Sequence, residues 1–92
     1  MRKRLLVHGK VQGVAFRMYA QEMAWRLDLL GWIRNLPDKR TVEIVAEGDD
    51  ESVETFVEWC GVGPPHAQVE RVDAVDDPST DALKPFAILP SA

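Results

Sequence analysis

The sequence predicts an α+β sandwich in which one antiparallel sheet carries two helices on a single face. Three observations lead there. Residues 16–27 and 53–60 each repeat apolar side chains at helical spacing. Short strand-like segments surround them in the order β-α-β-β-α-β, with an extra strand at the end. The 92 residues admit one domain, expected to span 1–92, and leave no room for a second. Two apolar helical stripes need burial, and one sheet covers both.

Taken in order, Lys3 to His8 is a short apolar stretch stopped by Gly9 and is expected as the first strand. Gly9 to Ala15 is a loop with glycines four apart. From Phe16, the positions Phe16, Ala20, Met23 and Leu27 form one helical face, with Gln21, Glu22, Arg26 and Asp28 opposite. Leu30 to Asn35 reads as the second strand, Leu36 to Arg40 has turn chemistry, and Thr41 to Glu47 alternates as the third, so these strands form a hairpin. In that third strand Val42, Ile44 and Ala46 share a face opposite Glu43, Val45 and Glu47. Asp49 or Asp50 can cap a second helix, whose stripe is Val53, Phe56, Val57 and Cys60 and which Gly61 to Pro65 ends. Residues 67–75 form a fourth strand, 76–85 a polar loop and 86–89 a closing strand. The order is that of a ferredoxin-like sandwich.

Composition excludes several roles for such a fold. There are 11 Lys and Arg against 15 Asp and Glu, a net charge of −4, which argues against a nucleic-acid surface. Cys60 is the single cysteine, so neither an internal disulfide nor a Cys-x-x-Cys metal site is available. The run Thr41 to Glu47 contains no aromatic residue, unlike the central strand of an RNA-recognition domain. Leu5-Leu6-Val7 is too short for a signal peptide's apolar core, and no apolar run reaches the length of a membrane span. The expectation is a cytoplasmic protein with no membrane partner and a reduced thiol. Trp25, Trp32 and Trp59 are expected to pack, Trp32 with some exposure. Glu43, Glu47, Glu54 and Glu58 are expected on solvated faces, His8 at a strand end and His66 in an exposed loop.

The segment Gly9 to Arg17 is the unusual one. Small residues let its backbone curl with N–H groups inward, and it runs straight into a helix N-terminus, an arrangement that attracts phosphate. Arg17 lies in the first helical turn, where a cation opposes the helix dipole. It fits there if an anion sits beside it and takes a bidentate grip. On spacing alone a solvated surface arginine accounts for it equally well. Strand alternation places Asn35 on the same face as Ile33, so if Ile33 faces the helices the loop can approach Asn35. Taken alone, Asn35 reads as a residue capping the turn at Leu36-Pro37.

Val11-Gln12-Gly13-Val14-Ala15-Phe16-Arg17, followed by Gly31-Trp32-Ile33-Arg34-Asn35, resembles the acylphosphatase family. Further likeness lies in Asn35-Leu36-Pro37-Asp38, Glu47-Gly48, Gly63-Pro64-Pro65 and Phe86-x-Ile88, so the resemblance covers nearly the whole chain in order. It implies hydrolysis of the carboxyl–phosphate bond of a small-molecule acyl phosphate by a monomer with no metal and no cofactor. It further implies that Arg17 binds the phosphoryl oxygens with the backbone N–H groups of Gln12, Gly13, Val14, Ala15 and Phe16, and that Asn35 holds the attacking water. The rival is a non-catalytic module that binds phosphate or acyl phosphate, like the domain that begins the hydrogenase-maturation carbamoyltransferases. The chain departs from the family pattern at Ala15, Asp28 and Lys39, each at a frequent glycine position. If the backbone there needs a positive φ, those side chains strain it.

Overall fold

The computed structural model describes residues 1–92. Its elements are β1 (Arg2–Lys10), α1 (Phe16–Arg26), β2 (Leu30–Asn35), β3 (Thr41–Glu47), α2 (Asp50–Val62), β4 (Gln68–Asp76) and β5 (Ala87–Ile88). The sheet order is β4-β1-β3-β2-β5. β1 pairs antiparallel with both β3 and β4, and β2 pairs antiparallel with β3. The expected ferredoxin-like sandwich is present.

Strand alternation decides which residues meet the helices. Leu5, Val7, Ile33, Val42, Ile44 and Ala46 are fully buried on the helix face. They pack against Phe16, Ala20 and Ala24 of α1 and Val53, Phe56 and Cys60 of α2 in one core cluster. Burial of this apolar surface is the main favourable term of folding. Phe56 meets Phe86 edge-on with ring centroids 5.6 Å apart, and Trp59 leans on Phe16 at 5.4 Å. No helix is long and apolar enough to cross a membrane.

Several expectations need correction. β1 runs on to Lys10 because that residue still pairs with Gln68 of β4, which leaves a loop of only 11–15. The pairing shifts register between His8 and Gly9. Gly9 has φ 133°, and a Cβ there would stand 2.2 Å from the Gln68 carbonyl oxygen, so only glycine permits this approach. The buried face of α1 runs through Phe16, Ala20 and Ala24, while Met23 and Leu27 are half-buried.

Trp25 is 54% exposed and does not pack as expected. Its indole Nε1 donates to the Phe86 carbonyl at 2.7 Å, which ties one edge of the ring down and leaves the rest in solvent. The closing strand pairs parallel with β2 over only two residues, Trp32 with Ala87 and Ile33 with Ile88, so the sheet is mixed. Beyond it the backbone still follows β2. Leu89 N–H donates to the Ile33 carbonyl, and Ala92 N–H to the Asn35 carbonyl, both at 2.9 Å.

Glu43 is the clearest departure. Expected on a solvated face, it is buried, because β3 lies between β1 and β2 and both neighbours roof it. Arg4 reaches across from β1 and Arg34 from β2 to hydrogen-bond its two carboxylate oxygens. Arg34 also lies over the Trp32 ring, 5.3 Å from its centroid. Burial pushes the Glu43 carboxyl upward, but the hydrogen bonds from Arg34 and Arg4 outweigh it and hold the group below its ordinary range. Glu47 is half-buried against Arg2 at 2.9 Å. Glu54 and Glu58 are exposed as expected.

Candidate active site

The loop from β1 to α1 owes its shape to two residues with positive φ. Gly13 has φ 74° and Ala15 φ 60°. For Gly13 this conformation is free of steric cost, and a Cβ there would meet nothing within 4 Å. Ala15 carries the strain expected of a side chain at that position. These two turns curl the segment over the start of α1, and Ala15 is itself the N-cap of that helix with no side chain to cap it. The first N–H groups of a helix have no partner within it, and no acidic residue occupies the first turn of α1.

The second helix shows the contrast. Asp49 caps α2, accepting hydrogen bonds from Ser52 N–H and Ser52 Oγ, both at 2.9 Å. The bond from the Ser52 backbone N–H, then that from its hydroxyl, holds the Asp49 carboxyl below its ordinary range. One helix N-terminus is closed by the chain's own carboxylate. The other is left open.

A cavity of about 200 Å³ sits at that open end, lined by Val11, Gln12, Gly13, Ala15, Phe16, Arg17, Met18, Asn35 and Ile88. Arg17 and Asn35 therefore face the same space. Arg2, Arg4, Arg34, Arg40 and Arg71 all sit in ion pairs, whereas neither the half-buried Arg17 nor the exposed Arg26 has a carboxylate partner. Asn35 reaches the cavity from the end of β2, where its backbone pairs with the buried Val42. Its Oδ1 is buried and has no hydrogen-bond partner in the protein. Leaving a buried polar atom unpaired costs about 1–3 kcal/mol.

Of the residues singled out from the sequence, Gln12, Gly13, Ala15, Phe16, Arg17 and Asn35 line this cavity. Val14 does not, and its side chain packs against the core. His8 lies on the opposite sheet face, with Nε2 3.0 Å from Asp73 Oδ2 and Nδ1 3.3 Å from Thr41 Oγ1. Cys60 lies in the core at 0% exposure, where burial pushes its thiol far up. No group of three or more His, Cys, Asp or Glu is arranged to hold a metal ion.

Sequence reasoning missed Met18 and Ile88 on the cavity wall. Met18 follows Arg17 in the first turn of α1, so its place beside the loop was open to inference. Ile88 was marked as part of a closing strand, but its place beside the cavity follows from the parallel pairing of that strand with β2, which local pattern does not show. The side chain of Gln12 was missed as well. Its Nε2 donates to the carbonyls of Leu36 and Thr41, both at 2.9 Å. Two wider depressions of about 310 Å³ each lie elsewhere on the surface and include neither Arg17 nor Asn35.

Comparison with known proteins bears on this arrangement. The family model described as Acylphosphatase matches residues 3–88. An acylphosphatase of Methylococcus capsulatus is 49% identical over 88 residues, covering 96% of this chain and 95% of that protein. The crystal structure of acylphosphatase from Bacillus subtilis superposes with a TM-score of 0.90 at 35% identity, over 96% of this chain and 97% of the other. The crystal structure of HypF from T. kodakarensis gives a TM-score of 0.86 at 31% identity, with all of this chain matching 12% of that one.

Proposed function

The chain belongs to the acylphosphatase family of enzymes, which hydrolyse acyl phosphates, and from that premise we propose that Arg17, Asn35 and the backbone of residues 12–16 carry the reaction. The observation behind this reading is the convergence, on one small cavity, of an unpaired guanidinium, an uncapped helix N-terminus and a buried amide oxygen without a partner. The first two suit a phosphoryl group. The third suits a water molecule.

In this mechanism the phosphoryl oxygens are held by Arg17 and by the N–H groups of Gln12, Gly13, Val14, Ala15 and Phe16. Asn35 accepts a hydrogen bond from a water and points its oxygen at phosphorus. The new P–O bond forms as the bond to the acyl oxygen breaks, and the carboxylate leaves with the electron pair. A carboxylate is stable near pH 7 without a proton, so no general acid is required. The water proton passes to a phosphate oxygen of the substrate. Phosphoryl transfer depends mainly on positioning and charge stabilisation, and both are within reach of these groups. Residues 1–92 act as one unit, as a monomer.

Turnover of benzoyl phosphate tests the assignment. Arg17→Ala and Asn35→Ala are each expected to lower kcat/KM by at least about 100-fold, as loss of a transition-state donor does, with the fold retained by circular dichroism. Near-native turnover in folded Asn35→Ala overturns the water-holding role. The similarity to a small part of the much longer HypF chain motivates the rival reading of an accessory module. Phosphate binding by the wild type without any turnover would select it. Turnover abolished by a chelator would require a metal that this mechanism omits.

A further inference from the structure

We infer that the carboxamide of Gln12 is a positioning device that sets the separation between the phosphate-binding loop and Asn35. This rests on the proposal that Asn35 holds the attacking water.

Gln12 belongs to the loop and is one of the residues that line the cavity. Both hydrogens of its Nε2 are used on the hairpin opposite, one on the Leu36 carbonyl and one on the Thr41 carbonyl, each at 2.9 Å. Leu36 directly follows Asn35, and Thr41 begins β3 on the far side of the turn. The two carbonyls do not need Gln12 to be satisfied. Leu36 C=O already accepts from Lys39 N–H at 3.3 Å, and Thr41 C=O from Leu36 N–H at 3.0 Å. The hairpin therefore closes on its own bonds, and what the carboxamide adds is a link between hairpin and loop. Thr41 is held from its other side, its hydroxyl donating to Asp38 Oδ2 at 2.6 Å. On the outer edge of β2 the Asn35 carbonyl accepts from Ala92 N–H. Thus the backbone around Asn35 is pinned on each side, and the pin facing the phosphate loop is Gln12.

Two groups that act on opposite parts of one reaction need their spacing fixed, and a displacement of about 1 Å can cost about 100-fold in rate. Gln12→Ala removes the link, and Gln12→Met removes its donors while keeping its length. Each is expected to lower kcat for an acyl phosphate by roughly tenfold. The competitive inhibition constant of inorganic phosphate should change by less than about twofold, because Arg17 and the loop N–H groups remain. In an Asn35→Ala background the loss from Gln12→Ala should vanish, since residues that act through one another are not additive.

Unchanged kcat in folded Gln12 variants overturns the inference, as does an equal weakening of phosphate inhibition, which would place Gln12 in the binding loop alone. Loss of the fold in both variants assigns the link to stability and also overturns it. Should the Asn35→Ala change itself leave kcat intact, the underlying proposal fails. Should Asn35→Ala lower kcat and the Gln12 loss persist in that background, only the positioning role fails.

Discussion

Lys39 stands at the β2–β3 turn with φ 63°, a conformation that costs a residue with a Cβ about 1–2 kcal/mol. It is one of three non-glycine residues with positive φ, the others being Ala15 at 60° and Asp28 at 56°. These are the same three positions at which the resemblance to the acylphosphatase family leads one to expect glycine. At Ala15 and Lys39 the side chain therefore stores strain that glycine would not carry, while aspartate tolerates this conformation better. Glycine at such a site relieves the steric cost but adds about 0.5–1 kcal/mol of unfolded-state entropy. Lys39→Gly is expected to stabilise the protein by about 0.5–1 kcal/mol, raising Tm by roughly 2–8 °C. A thermal melt showing a lower Tm would mean that the Lys39 side chain makes a compensating contribution. The φ values were foreshadowed in the sequence by the missing glycines. The Gln12 bonds were not, because they join residues 24 and 29 positions apart that no local pattern relates.

At the scale of elements, the two helices treat their N-termini differently, and the sequence showed this plainly. Asp49 precedes α2 and caps it, while nothing acidic precedes or opens α1. β3 was less legible. Its alternation places Glu43 on the face away from the helices, and alternation alone says that this face is wet. What buries Glu43 is the pair of arginines that the neighbouring strands bring alongside it, Arg4 beside Val45 and Arg34 opposite Glu43. That depends on strand order, which is a tertiary fact. Glu43→Gln is expected to cost about 1–3 kcal/mol at pH 7, the worth of a hydrogen bond to a charged group. The folded carboxyl titrates below its ordinary value of 4.5. Its contribution is thus fully present above about pH 4.5 and is lost as pH falls through the folded value. Denaturant titrations at pH 7 and pH 3 should show the difference between wild type and variant shrinking at the lower pH. A difference that stays constant would contradict the ionic origin of the effect.

For the molecule as a whole, a net charge of −4 is reconciled with an anionic substrate by locality. Arg2, Lys3, Arg4, Arg34 and Arg71 on the sheet and Arg40 in the β2–β3 turn are held in ion pairs, and the one half-buried guanidinium left without a carboxylate is at the open helix end. The core offers a probe of global stability. Cys60 lies on the buried face of α2, within the core and with no exposure, and burial keeps its thiol protonated. Its labelling by a thiol reagent at neutral pH should proceed only through global opening, with a rate that rises in step with denaturant-induced unfolding. Rapid labelling under native conditions would reveal a local opening of α2. The short final pairing has a different consequence. Sheet edges recruit strands from other molecules, and β2 would present Leu30, Trp32 and Ile33 along such an edge. Residues 87–92 occupy it with a stretch too short to be a template itself, ending in backbone bonds at Ile33 and Asn35. At the other edge, β4 carries Glu70, Arg71, Asp73 and Asp76. One border of the sheet is guarded against aggregation by charge, and the border nearest the candidate site by the chain's own tail.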